Sequence, residues 1–307
     1  MPMSSQPAHK SVAPHRAGYV AIAGRPNVGK STLLNRMVGQ KVSIVSAKPQ
    51  TTRLRVTGIV TRPQGQAVFV DTPGHQTAHR SALNRMMNRA IAATLHEVHA
   101  AIWVVEALQF GDGDRAVEAL LPAALPVVLA INKIDRITDK KRLLPFMAGL
   151  AGRRSYAAVV PISAAKGTQL EALLDAVLPL LPEGPVLFGA DEITTLSERV
   201  LAAELLREKL FRLLGDELPY GAAVEIEQFE EAAGLRRIRA AIIVGKNSHK
   251  AMVIGKGGAK LKAIGTSARQ DMERLFGGKV FLETWVKVRS DWAEDDASLR
   301  RLGYGAE

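Results

Sequence analysis

Between residues 17 and 182, short apolar runs alternate with longer stretches in which apolar positions recur every three or four residues. "GYVAIAG", "AAIWVVEA", "LPVVLAIN" and "YAAVVPIS" have strand length, and "LRVTGIV" and "QAVFVD" flank the turn "RPQG" as a hairpin. "KSTLLNRMVG" and "TQLEALLDAVLPLL" carry helical spacing. Strands that alternate with helices predict an α/β fold, a doubly wound and mostly parallel sheet covered on both faces. The pattern stops at "LPEGPVLFG", whose Pro and Gly mark a linker over residues 183–195. A different order follows over residues 196–307. The long helix "DEITTLSERVLAAELLREKLFRLLG" leads to the strands "AAVEIEQFEE" and "RRIRAAIIVG", a Gly-Lys loop between helices, and the strand "KVFLETWVKV". It predicts a second, smaller α+β domain.

The 307 residues and 47% hydrophobic content suffice for two domains, each with its own core. No apolar run reaches the roughly 18 residues that cross a bilayer. Residues 1–16, rich in Ser, Pro and His, lack the apolar centre of a secretion signal and are expected to be a disordered tail. The absence of cysteine excludes disulfides and thiolate metal sites and agrees with a cytoplasmic location. The net charge is +11, and residues 236–289 hold 13 basic against 3 acidic residues between two acidic flanks. Such a block is the electrostatic footprint of a nucleic-acid surface, although a solvated basic face carries the same charge.

Four motifs stand at predicted strand ends. "GRPNVGKST", spanning Gly24, Arg25, Pro26, Asn27, Val28, Gly29, Lys30, Ser31 and Thr32, fits the phosphate loop G-x-x-x-x-G-K-[ST] between a strand and a helix. Its glycines let backbone N–H groups converge on phosphate, Lys30 would reach the β/γ-phosphates, and Ser31 would ligate Mg²⁺. "DTPG" supplies Asp71, Thr72, Pro73 and Gly74: Asp71 for Mg²⁺ through water, the Gly74 N–H for the γ-phosphate. "PQTTR" supplies a threonine for the Mg²⁺ shell, with Thr52 preferred over Thr51. "NKID" selects the base: the Asp135 carboxylate accepts from guanine N1–H and amine, whereas adenine would leave buried groups mispaired. Asn132 and Lys133 complete that motif, and "SAAK" offers Ser163 and the Ala164 or Ala165 N–H for the guanine oxygen. The four together predict GTP binding.

In this order, "GRPNVGKS", "PQTTR", "DTPG", "NKID" and "SAAK" resemble the Era-like family of translation-factor-related P-loop GTPases, which join one GTPase domain to a C-terminal type II KH domain. The resemblance covers about residues 17–305 and extends to "LPEGP", "GKGG" and "VKVRSDWAEDDASLRRLGY". By itself, "GKGG" (Gly255, Lys256, Gly257, Gly258) is either a helix-capping turn or a clamp for single-stranded RNA. The surrounding strand order favours the clamp, with Lys260 and Lys262 beside it and Lys246, Lys250, Arg236 and Arg237 as further backbone contacts. After it, Leu261, Ile264, Ala268, Met272 and Leu275 form an apolar stripe at helical spacing. The resemblance implies a GTP-hydrolysing switch that binds the 3′ end of 16S ribosomal RNA and assists 30S subunit assembly, with GTP/GDP and Mg²⁺ as ligands, a monomeric state and peripheral membrane association. It also implies K⁺ near Asn27. His75, directly after Gly74, resembles the residue that orients the attacking water in elongation-factor-type GTPases, with a solvated switch histidine as the other reading. The alternative function is a GTPase whose second domain docks on a protein or a membrane surface.

Overall fold

The computed structural model describes residues 15–46, 48, 51–74, 82–215, 218–290 and 292–304. The expected N-terminal tail up to residue 14 lies outside them. In the first half the strands are β1 (Arg16–Ala23), β2 (Val56–Arg62), β3 (Gly65–Asp71), β4 (Ala100–Glu106), β5 (Val127–Asn132) and β6 (Ala158–Pro161). They lie in the order β2-β3-β1-β4-β5-β6, all parallel except β2, which pairs antiparallel with β3 as the hairpin pattern predicts. Helices α1 (Lys30–Val38), α2 (Ala82–Glu97), α3 (Asp112–Glu118), α4 (Leu143–Ala151) and α5 (Leu170–Val177) complete this domain. Two apolar clusters separate its faces, one with Val20, Ile22, Leu33, Phe69 and Leu173, the other with Trp103, Leu129, Leu95 and Ile91. Because β1 lies between β3 and β4, strand order reverses there, and the carboxyl ends of β1, β3 and β5 open on one crevice.

The second half contains α6 (Glu198–Leu213), β7 (Ala222–Ala232), β8 (Leu235–Val244), α7 (Asn247–Ile254), α8 (Ala259–Phe276), β9 (Lys279–Val288) and α9 (Asp296–Arg301). β7 and β8 are antiparallel, β8 and β9 parallel. The expected stripe on α8 is its core face, with Ile264, Ala268 and Met272 fully buried and Leu261 and Leu275 packed at its edge.

One element is shorter than its pattern. The helix expected from residue 191 begins at Glu198, after Ser197. The preceding residues are drawn to the edge of the first sheet instead. The Ile59 N–H donates to the Ile193 carbonyl (2.9 Å), Thr194 Oγ1 donates to the Thr57 carbonyl (2.7 Å), and Gln66 Oε1 accepts from the N–H groups of Leu187 and Phe188. Residues 193–195 thus cover the free edge of β2, and Leu187 and Phe188 are held by Gln66 of β3. The stretch read as a linker is held against the first domain.

Candidate nucleotide and nucleic-acid sites

The phosphate loop leaves β1 at Gly24 and enters α1 at Lys30. Gly29, at φ 103°, is the sharpest demand on residue type, since a Cβ there would come within 2.5 Å of Asn132 Nδ2. Lys30 is buried and donates through Nζ to the carbonyls of Gly24 (3.0 Å) and Arg25 (3.2 Å). Burial pushes its pKa down to about 8, with nearby Asp71 opposing the shift. Asp71, at the end of β3, is fully buried, and burial raises its carboxyl above the ordinary range against the pull of Lys30 and Ser31.

Three oxygen donors from separate elements meet here. Ser31 Oγ donates to Asp71 Oδ2 (2.6 Å) and lies 2.9 Å from Thr52 Oγ1. Ser43, which the motifs did not single out, also donates to Asp71 Oδ2 (2.9 Å). Asp71 Oδ1 has no hydrogen-bond partner among the described residues. A buried carboxylate oxygen without a partner, beside two hydroxyls, is a donor set of the hard-oxygen kind that suits Mg²⁺. Thr51 is instead turned to Ser46, at 2.7 Å between hydroxyls.

At the other end of the crevice, Asn132 ties the base-side motifs to the phosphate loop. Its Nδ2 donates to the Val28 carbonyl (2.7 Å) and its Oδ1 accepts from the Ala164 N–H (2.9 Å). The Ala164 N–H is therefore engaged by the same side chain that holds the phosphate loop. Ser163 Oγ donates to Asp135 Oδ1 (2.5 Å), and Lys133 Nζ pairs with Glu106 (2.8 Å), which also holds Arg25 (3.1 Å). Thr72 Oγ1 anchors the "DTPG" turn to the Ile22 carbonyl (3.0 Å), and Gly74 lies against Pro26, close enough that a Cβ would fall 2.9 Å from the proline ring. Asn27, Thr32, Lys133 and Gly74 line one cavity of about 530 Å³ with Lys30, Ser31 and Thr52. His75 lies outside the described residues.

The second candidate site divides. Gly257 and Gly258 have φ of 59° and 78°, so the loop between α7 and α8 adopts a left-handed path that glycine accommodates. Lys246, Lys256, Lys260 and Lys262 are exposed around it, and Lys250 is half-buried. Arg236 and Arg237 do not join them. β9 starts beside Leu235, so both arginines lie at the far end of α8, whose 18 residues span about 27 Å. Arg236 is bound by Glu198 (2.7 Å) and stacks over Phe276, while Arg237 lies on the sheet face away from the helices, next to Phe281 and Glu283. The basic block is contiguous in sequence but not on the surface.

Among the described residues no helix is long and apolar enough to cross a membrane. A sequence profile described as "50S ribosome-binding GTPase" matches residues 19–133, and one described as "KH domain" matches residues 217–293. GTPase Era of Xanthomonas oryzae pv. oryzae (strain MAFF 311018) is 55% identical over 293 residues, 95% of this chain and 98% of that protein. A crystal structure of a variant of Aquifex aeolicus Era bound to GDP·AlF4⁻ superposes with a TM-score of 0.91 at 39% identity, covering 95% of this chain and all of that one. A second, of Era with MgGDPNP and nucleotides 1506–1542 of 16S ribosomal RNA, matches at the same TM-score, identity and coverage. With identity this high across both domains, and with the phosphate loop, base-side motifs and Gly-Lys loop in place, the chain belongs to the GTPase Era family.

Proposed function

We propose that this GTPase is an RNA-binding switch that engages the 3′ end of 16S ribosomal RNA and assists assembly of the small subunit. The observation that carries the nucleotide half is the meeting of Ser31, Thr52 and Asp71 beside buried Lys30, with an Asp71 oxygen left unpartnered. Ser31, Thr52 and, through water, Asp71 would hold Mg²⁺, which when bound neutralises charge building on the β- and γ-phosphates. Lys30 exchanges its two loop carbonyls for phosphate oxygens, and the Gly74 N–H donates to the γ-phosphate. Asp135 accepts from the guanine N1–H and amine, and the Ala164 or Ala165 N–H donates to the guanine oxygen. Hydrolysis then joins a water oxygen to the γ-phosphorus and breaks its bond to the bridging oxygen, giving GDP and phosphate. His75 orients that water; a His75→Ala protein with unchanged hydrolysis would remove this role. Asn27 is the residue through which K⁺ would act, and hydrolysis in KCl against NaCl tests it.

Gly255, Gly257 and Gly258 admit the RNA backbone, while Lys246, Lys250, Lys256, Lys260 and Lys262 neutralise it. The solved complex of a family member with 16S ribosomal RNA supports this choice of partner. The test is affinity for a single strand copying the 3′ end of small-subunit ribosomal RNA, with a non-hydrolysable GTP analogue and with GDP. Tighter binding with the analogue, lost on Gly257→Asp, is expected. Equal weak binding of any polyanion would favour the docking alternative and a role at a protein or membrane surface.

A further inference from the structure

The stretch from Lys41 to Arg53 joins α1 to β2 and belongs to the first domain, yet its described residues are tied to the second along its length. Lys41 pairs with Asp271 on α8 (2.8 Å) and with buried Glu208 on α6. The Val45 carbonyl accepts from Arg212 (3.0 Å), and Lys48 Nζ donates to the Leu214 carbonyl (2.6 Å). The two contacts closest to the nucleotide flank Thr52. On one side, Arg207 Nη2 donates to the Thr51 carbonyl (2.5 Å). On the other, Arg53 Nη1 and Nη2 donate to the carbonyls of Ala222 (2.9 Å) and Tyr220 (3.0 Å).

Both arginines are buried, at 2% and 1% exposure, and a buried cation costs several kcal/mol unless its donors are met. Arg207 is neutralised by Glu204. The Arg53 guanidinium lies between the rings of Phe211, Trp292 and Tyr304, at 5.6, 5.9 and 5.9 Å. Trp292 and Tyr304 come from the segment after β9, which is itself wedged against Leu83 and Met87 of α2. Apolar side chains would fill this space at less cost. What they would not supply is a pair of donors that grips the chain on both sides of Thr52.

We infer that Arg53 and Arg207 are positioning residues for Thr52, through which the second domain and the segment after it hold the Thr52 hydroxyl against Ser31 and complete the oxygen set for the metal. The inference rests on the reading of Thr52 given above. The second domain is then part of what makes the GTP state bind tightly. By linkage, the GTP state tightens the seat of residues 292–304 in return.

The experiment uses the full chain and a fluorescent non-hydrolysable GTP analogue against GDP, each with Mg²⁺ and with EDTA. Arg53→Ala and Arg207→Ala are expected to weaken the Mg²⁺-dependent analogue affinity about tenfold, within the usual size of coupling between sites, and to leave GDP within about twofold. Arg53→Lys should fail to rescue, because a lysine does not present the planar fork that spans two carbonyls. Thr52→Ala is the control. If it leaves Mg²⁺-dependent binding unchanged, the reading of Thr52 fails first; if it abolishes that binding while both arginine variants bind like the parent, only this inference falls. Equal losses for both nucleotides mark a merely structural role and overturn it. Should Arg53→Ala not fold, Arg53→Lys and Trp292→Phe decide: parental analogue affinity in both overturns the inference.

Discussion

Lys30 and Asp71 illustrate how burial tunes the site residue by residue. With its pKa lowered from 10.5 to about 8, Lys30 loses its proton more readily in the folded chain than in the unfolded one. Stability of the nucleotide-free protein should therefore rise with pH across that window, as the cost of a buried charge disappears. Nucleotide binding runs the other way, because phosphates select the charged amine. Affinity is expected to be flat just below pH 8 and to fall by up to about tenfold per pH unit above it, with proton uptake measurable by calorimetry in buffers of different ionisation enthalpy. Asp71 adds an acid limb, since its raised carboxyl must lose its proton to serve a cation. Base choice is also a single-residue matter. Asp135→Asn should weaken GTP on the order of 100-fold and shift preference toward a xanthine nucleotide, read by competition binding, because an amide donor faces the guanine donors.

Among the elements, α8 links the Gly-Lys loop at its start to the domain contact at Asp271. Its inward face holds Ile264, Ala268 and Met272 without exposure. Ile264→Ala should cost about 2–5 kcal/mol of the second domain's stability, measured as a lower urea midpoint. The GTP-binding face of the first domain should be the less affected part. The helical period of α8 was readable in sequence because an amphipathic helix repeats its apolar positions locally. The start of α6 was not: residues 193–195 could propagate a helix but bind the edge of β2, a partner more than 130 positions earlier.

For the whole molecule, the charge distribution sets how RNA binding responds to salt. Glutamate substitutions at Lys256, Lys260 and Lys262 should each reduce the slope of log affinity against log salt by about 0.7, the value for one phosphate on a single strand. Glutamate at Arg237 is expected to leave the slope unchanged, because that residue lies on the other face of the sheet. Binding titrations over a range of KCl concentrations measure both. The same view makes the contact between domains a functional element. Lys41, Val45, Thr51 and Arg53 meet the second domain beside the residues that face the nucleotide, so a change at one site has a short physical route to the other.

The phosphate loop, "DTPG", "NKID" and "SAAK" were legible because each is a local backbone shape at a strand end, where glycine and short polar residues are dictated by the chain's own geometry and by the nucleotide. The alternation of strands and helices was legible for the same reason, as was a Gly-Lys loop between two helices at Gly255–Gly258. Tertiary structure alone decided which basic residues share a surface, dividing Arg236 and Arg237 from the lysines around Gly257. It also committed the Ala164 N–H to Asn132, a partner 32 positions earlier. The grip on Thr52 was equally hidden. Thr51 and Arg207 are 156 positions apart, and the partners of Arg53 are carbonyls and ring faces, which every sequence contains and no sequence pattern marks.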